Sequence, residues 1–286
     1  MIRILTDSTA DLSESDIRQL GVRVVPLLVN FGDEHFRDGI DLTPDEFYEK
    51  LAAADKLPTT SQPSPEVFLQ EFEQARDAGD DVVCVLLSSA LSGTFQSAQI
   101  AKEEAAYNRI FLVDSKNATL GEQLLVRRAV QRLREGFTAE EIAADLEQAR
   151  EDVHLFALVD TLKYLHKGGR LPTAVALAGG LLGIKPVVGL VDGKLVMADK
   201  ARGLPGAYVA IFKQIAGVGG IDEQWPVLVG YTGKKTGVEP FMRYVTQNLH
   251  LQKPLLRAIG PVIGTHAGPG AAGIAFFACD YTEKNA

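Results

Sequence analysis

The sequence predicts an α/β protein in two domains. The first is built on a mostly parallel sheet with helices on both faces, the second on a mixed sheet with its own helices. Three observations carry this. Short runs rich in Val, Ile and Leu alternate with amphipathic, capped helical segments, and near-continuous apolar strands belong to a sheet covered on both faces. At 286 residues the chain is long for a single core. In its second half, Asp192-Gly193 separates two apolar runs, which is the signal of a tight antiparallel hairpin.

Each element has its own signal. Residues 2–5, 22–29, 82–87 and 110–113 are apolar runs of strand length. Ser13, with Asp16 three residues on, opens a helix that Gly21 closes. Thr43-Pro44-Asp45-Glu46 is a capping box with Pro at the first helical position, and Ser64-Pro65-Glu66 repeats the Pro device. A long helix from about Leu120 ends at Gly136, and Thr138 with Glu141 starts the next. In the second half the strand candidates are 155–159, 185–191, 195–198, 227–231, 259–264 and 272–278. The domain boundary is placed near residue 150, giving domains 1–150 and 151–286.

Composition narrows the function. Apolar residues make up 46% and charged residues 23% of the chain, ordinary values for a globular protein. A net charge of −8 argues against nucleic acid as the main partner, because phosphate binding needs a basic face. Cys84 and Cys279 stand far apart in apolar runs and read as free thiols acting as small hydrophobes, not a disulfide framework. Met1 leads straight into a strand pattern without a secretory apolar region. No apolar stretch reaches the roughly 18 residues of a membrane span, so a cytoplasmic protein is expected. His35, His154, His166, His250 and His266 have no metal-ligand spacing, and neither metal nor cofactor is expected.

Three glycine-containing loops concentrate the chemistry: residues 88–94 (Ser-Ser-Ala-Leu-Ser-Gly-Thr), 167–170 (Lys-Gly-Gly-Arg) and 265–270 (Thr-His-Ala-Gly-Pro-Gly). Ser92 lies between a strand and a helix, where outward backbone N–H groups favour an anion. The stretch Thr59-Thr60-Ser61-Gln62-Pro63-Ser64-Pro65 is a second hydroxyl-rich lead-in to a helix. Together they fit one site for a carboxylate or phosphate, although each also fits plain helix capping. His266 sits in a rigid, uncrowded loop, and Arg170 and Arg202 are cations beside glycines. Asp7 and Asp11 could be paired acids for metal or phosphoryl chemistry, or a turn that leads into a helix. Gly268 to Gly273 matches G-x-G-x-x-G but runs into a strand pattern, the wrong context for a dinucleotide. Gly233-Lys234-Lys235-Thr236 lacks the first glycine of a phosphate loop, since Leu228 stands there. There is no G-x-S-x-G elbow.

Taken in order, Thr6-Asp7-Ser8-Thr9-Ala10-Asp11-Leu12, Thr59-Thr60-Ser61-Gln62-Pro63-Ser64, Leu91-Ser92-Gly93-Thr94, Val113-Asp114-Ser115, Tyr164-Leu165-His166-Lys167-Gly168-Gly169-Arg170, Ile184-Lys185-Pro186, Arg202-Gly203 and Thr265-His266-Ala267-Gly268-Pro269-Gly270 resemble the DegV family. Its members are bacterial fatty-acid-binding proteins, several of them acyl-carrying subunits of fatty acid kinase. The resemblance spans essentially the whole chain. It implies one long-chain fatty acid of the palmitate, stearate or oleate class, with its carboxyl group at the domain interface. Thr60 or Ser61, together with Ser92 and Gly93, would hold the carboxyl group, and Thr265 and His266 would lie near it. It also implies a carrier rather than an enzyme, acting with a separate ATP-using fatty acid kinase subunit. Arg170 and Arg202 would face that partner or the phosphoryl group, and contact with membranes would be transient. Residues 178–183 could line the tail pocket or pack helices. Two rival readings are a lipid-sensing regulatory module and a phosphotransferase or phosphohydrolase using Asp7, Asp11 and Asp114.

Overall fold

The computed structural model describes residues 1–172, 183–249, 251 and 253–279. Ile2–Asp7 (β1), Arg23–Val25 (β2), Asp81–Leu86 (β6) and Ile110–Asp114 (β7) form a parallel sheet in the order β2-β1-β6-β7. Both faces are covered, which is why β6 reads as an unbroken apolar run. Val82, Cys84 and Leu86 pack with Phe68 and Phe72 of Pro65–Ala78 (α3) and with Ala98 and Ala101 of Thr94–Ala105 (α4). Val83 and Val85 pack on the other face with Leu124 and Leu125 of Thr119–Arg134 (α5) and with Ile142 and Leu146 of Ala139–Ala149 (α6).

The caps form as the sequence predicts. Ser13 and Asp16 make a capping box for Glu14–Leu20 (α1), which Gly21 ends in the left-handed region at φ 68°. Thr43 does the same for Pro44–Ala53 (α2), and Thr138 for α6. Ser64 makes no side-chain cap bond to α3, so Pro65 alone marks that start.

Val153–Leu158 (β8), Ile184–Val191 (β9), Lys194–Arg202 (β10), Leu228–Tyr231 (β11), Leu255–Ala258 (β12) and Ala272–Phe277 (β13) form a mixed six-stranded sheet in the order β10-β9-β8-β13-β11-β12. The β9–β10 hairpin turns at Asp192 and Gly193, with φ of 48° and 74°, the positive-φ pair of a primed turn. Gly203–Gly217 (α8) and Glu239–Asn248 (α9) bury Tyr208, Ile211, Phe241 and Val245 against Ile274 and Phe276 on one face. The opposite face meets α5, so that Leu228, Ala275 and Phe277 share a core with Leu120 and Leu124. The helix α5 is therefore buried on two sides, between the two sheets.

A third, antiparallel sheet, Leu28–Phe31 (β3), Glu34–Arg37 (β4) and Thr59–Ser61 (β5), was not legible as strands. Residues 22–29 are not one strand. Pro26 has no N–H for a ladder, and the chain leaves the parallel sheet there to begin the small one. Residues 259–264 are not a strand either. Pro261 takes the first position of a helix, Pro261–Ala267 (α10), and the strand is β12, just before it. Lys163–Lys167 (α7) packs beside α10. Cys84 is buried, while Cys279 is half-buried with its thiol on the Ile221 carbonyl. No helix among the described residues is long and apolar enough to cross a membrane.

Candidate functional site

A cleft lies where α5, α10, β5 and the mixed sheet converge, with about 960 Å³ of empty space counting its open mouth. Its walls are mostly apolar, with Leu87, Leu120, Leu155, Val188 and Ile259 among the lining residues. One face of α10 runs along it. Val262, Ile263, His266 and Ala267 all reach the cleft, the i, i+3, i+4 spacing of one helical face, and Ile259, just ahead of the helix, lines it as well.

The polar groups gather at the His266 end. The Thr60 hydroxyl stands 2.9 Å from His266 Nε2. Ser92 also lines the cleft, its hydroxyl 2.9 Å from Thr94 Oγ1 and accepting the Thr94 N–H at 3.3 Å. Ser92 thus leads into α4 and faces the cleft at once. Arg170 completes the rim, donating to the carbonyls of Leu91 at 3.0 Å and Gly168 at 2.7 Å. Neither bond neutralises its charge.

Burial, and next the Arg170 guanidinium, push His266 down to about 4, so the ring is neutral at neutral pH. Its Nδ1 is buried without a partner among the described residues, packed against Gly168. A Cβ at Gly168 would overlap that nitrogen, and one at Gly268 would overlap the Tyr164 ring. The glycines of both motifs therefore make room for the imidazole and its support. Gly93 works similarly, since a Cβ there would overlap the Gln62 amide. That amide donates to Ser97 Oγ at 2.9 Å and so ties the 59–65 stretch to the first turn of α4.

The remaining expected residues lie elsewhere. Strand alternation turns Ser61 away from the cleft, and it accepts from Asn30 Nδ2 at 2.9 Å on the exposed side. Of the pair Thr60 or Ser61, the fold brings Thr60 to the cleft. Thr265 is buried and bonds back to the Pro261 carbonyl at 2.9 Å inside α10. Arg202 is exposed at the end of β10, opposite Ile184, and does not line the cleft. Residues 178–182 lie outside the described residues, and Gly183 does not line the cleft.

The acidic residues serve as fasteners. Asp7 accepts from Thr9 N and Oγ1 and from Leu87 N, all between 2.6 and 2.9 Å. Asp11 accepts from Thr119 Oγ1 at 2.5 Å and Gly260 N at 2.7 Å. It thereby ties the start of α5 to the start of α10. Thr119, which lines the cleft, has φ of 48°, a costly conformation for a β-branched residue, and this bond holds it. Asp114 braces a separate loop through Ser89 and Lys116. Sequence reasoning missed Thr119, Gln62 and the buried Asp38. The only signal for Gln62 was its place inside a motif.

A family model described as "Uncharacterised protein, DegV family" matches residues 1–278. The chain belongs to the DegV family. A DegV domain-containing protein of Caldanaerobacter subterraneus is 36% identical over 275 residues, covering 96% of this chain and 98% of the relative. Among solved structures, a fatty-acid-binding DegV family protein from Thermus thermophilus superposes with a TM-score of 0.87 at 36% identity, covering 97% of this chain and 99% of the other. A stearic acid-binding protein from Eubacterium ventriosum gives 0.84 at 30% identity, covering 96% and 98%. The α/β architecture with one parallel and one mixed sheet is thus the DegV fold.

Proposed function

We propose that this DegV protein binds one long-chain fatty acid, with its carboxylate at Thr60, Ser92 and His266 and its tail along α10. What carries the reading is the pairing of an apolar cleft with uncharged donors at one end. Each methylene removed from water contributes about 0.8 kcal/mol, so the tail supplies most of the affinity. The head needs only orientation and relief from desolvation, and a hydrogen bond to a charged group contributes about 1.5–3 kcal/mol. Hydroxyls and a neutral imidazole provide this without burying an ion pair, whose desolvation can exceed its attraction. Arg170, held by two carbonyls at the rim, attracts the acid without being its main contact. Similar structures described as fatty-acid- and stearic acid-binding proteins point the same way.

Once bound, the acid is presented for phosphoryl transfer. A separate ATP-dependent kinase takes the exposed edge of the carboxylate, whose oxygen attacks the γ-phosphorus while ADP leaves, giving an acyl phosphate. His266 then stabilises charge at the head group, and Arg170 and Arg202 face the partner. Titration calorimetry of delipidated protein with stearate tests the binding step. One bound molecule per chain is expected, and no heat at any concentration would refute it.

A further inference from the structure

The β9–β10 hairpin reaches across to the loop that carries Ser92. Val188, Leu190 and Leu195 of this hairpin line the cleft, and its turn residue Gly193 is buried. The hydroxyl of Ser88, also buried, donates to the Gly193 carbonyl at 2.8 Å. A Cβ at Gly193 would overlap Ser88 Oγ, so only glycine lets the turn come this close. Its φ of 74° favours glycine as well.

Ser88 is also the origin of the loop. It stands just past β6, where its N–H donates to the Asn117 carbonyl at 2.9 Å. Its carbonyl accepts from Leu91 N at 2.9 Å and from Ser92 N at 3.2 Å, and its hydroxyl accepts from Ala90 N at 3.3 Å. A serine hydroxyl has one proton to give. Giving it to Gly193 fixes the rotor and leaves a lone pair for the Ala90 N–H. The turn 88–92 therefore hangs on one residue, and that residue is clamped to the hairpin. Ser88 does not itself line the cleft, so any effect it has on a ligand passes through its neighbours.

We propose that Ser88, clamped to the Gly193 carbonyl, is the positioning residue that sets the Ser92 hydroxyl for the ligand's carboxylate. This rests on the fatty-acid reading above and deepens it. The wall beside the tail and the loop that holds the head share one hydrogen bond. Loosening that bond loosens the grip on the head and spares the tail.

The test compares stearate with its methyl ester, which keeps the tail and lacks the charged head, by competition on delipidated protein. Ser88→Ala should weaken stearate by up to about tenfold, the order of one lost hydrogen bond to a charged group, and leave the ester within about twofold. Ser92→Ala and the double variant should bind stearate equally weakly, because residues that act as one unit do not add. Gly193→Ala keeps the Ser88 hydroxyl but presses it out of place, so it should show the same selective loss from the hairpin side. It carries the test if a thermal melt shows that Ser88→Ala does not fold. Equal losses for acid and ester, additive losses in the double variant, or no loss in folded variants would each overturn the positioning role. A wild-type protein that does not prefer stearate over the ester would instead overturn the head-group site itself.

Discussion

At the scale of single residues, the head-group end depends on hydroxyls whose removal changes little else. Thr60→Val keeps the shape of the side chain and deletes the contact to His266 Nε2. It should weaken fatty-acid binding by roughly tenfold, the order of one lost hydrogen bond to a charged group, and calorimetry with stearate would measure it. His266→Ala should leave binding largely intact while abolishing acyl phosphate formation with the kinase. Unchanged turnover would remove His266 from the phosphoryl step. The place of these residues was legible chiefly through the ordered motifs that resemble the DegV family, since hydroxyls ahead of a helix fit plain capping equally well. Ser61 misled, since a motif shows which residues are near a site and only the strand pleat shows which of two neighbours faces it.

At the scale of elements, the glycine motifs are spacing devices for α7 and α10. Gly168 has a helical φ of −74°, so Ala there is tolerated by the backbone, yet its Cβ would displace the His266 ring. Gly169, at φ 73° with open space around it, shows the reverse. Because Gly168 backs Nδ1 while Nε2 faces Thr60, Gly168→Ala should push the ring into the head-group end and reduce ligand affinity, which deleting the ring does not do, with little change in melting temperature. Gly169→Ala should cost roughly 1–2 kcal/mol of stability and leave affinity alone. Binding and thermal melts on the two variants separate these effects. The helix α10 itself was misread, because the apolar run at 259–264 fits a strand until Pro261 is given its helical weight. The third sheet was missed because β5 is three residues of Thr and Ser, which carry a turn signature. What makes them a strand is pairing with β3, a contact between residues about thirty positions apart.

At the scale of the whole molecule, buried groups push the pH dependence of stability in opposite directions, and His266 and Asp38 show the two signs. His266 falls from its ordinary 6.5 to about 4, chiefly through burial. Between those values the unfolded chain binds a proton that the folded protein refuses, so this group makes stability rise with pH. Asp38 goes from 3.8 up to about 7, again chiefly through burial, with the Asp7 charge adding to it. Over that window the folded protein keeps a proton that the unfolded chain has lost, and stability falls as pH rises. Burial raises Asp7, Asp11 and Glu122 as well, so each group's share is read from the difference between its variant and the parent. Relative to the parent, His266→Gln should lose melting temperature on going from pH 4.5 to 6.5, and Asp38→Asn should gain it. Parallel melting curves for all three proteins would show that neither group carries the shift. The alternation of strands and capped helices was readable from the sequence, but burial of this kind was not. Asp38 looks like a turn residue in the chain and becomes a core residue only when the start of α10 closes over it.

If Thr60, Ser92 and His266 grip an acidic head while its oily tail lies sealed along α10, the protein should leave the cell carrying lipid. Native mass spectrometry of the protein purified from bacteria, before and after organic extraction, addresses this most directly. The expected result is a mass surplus of one fatty acid per chain that extraction removes and added palmitate or oleate restores. A protein that comes out of cells without lipid, and whose mass and melting temperature ignore added fatty acid, would contradict the account.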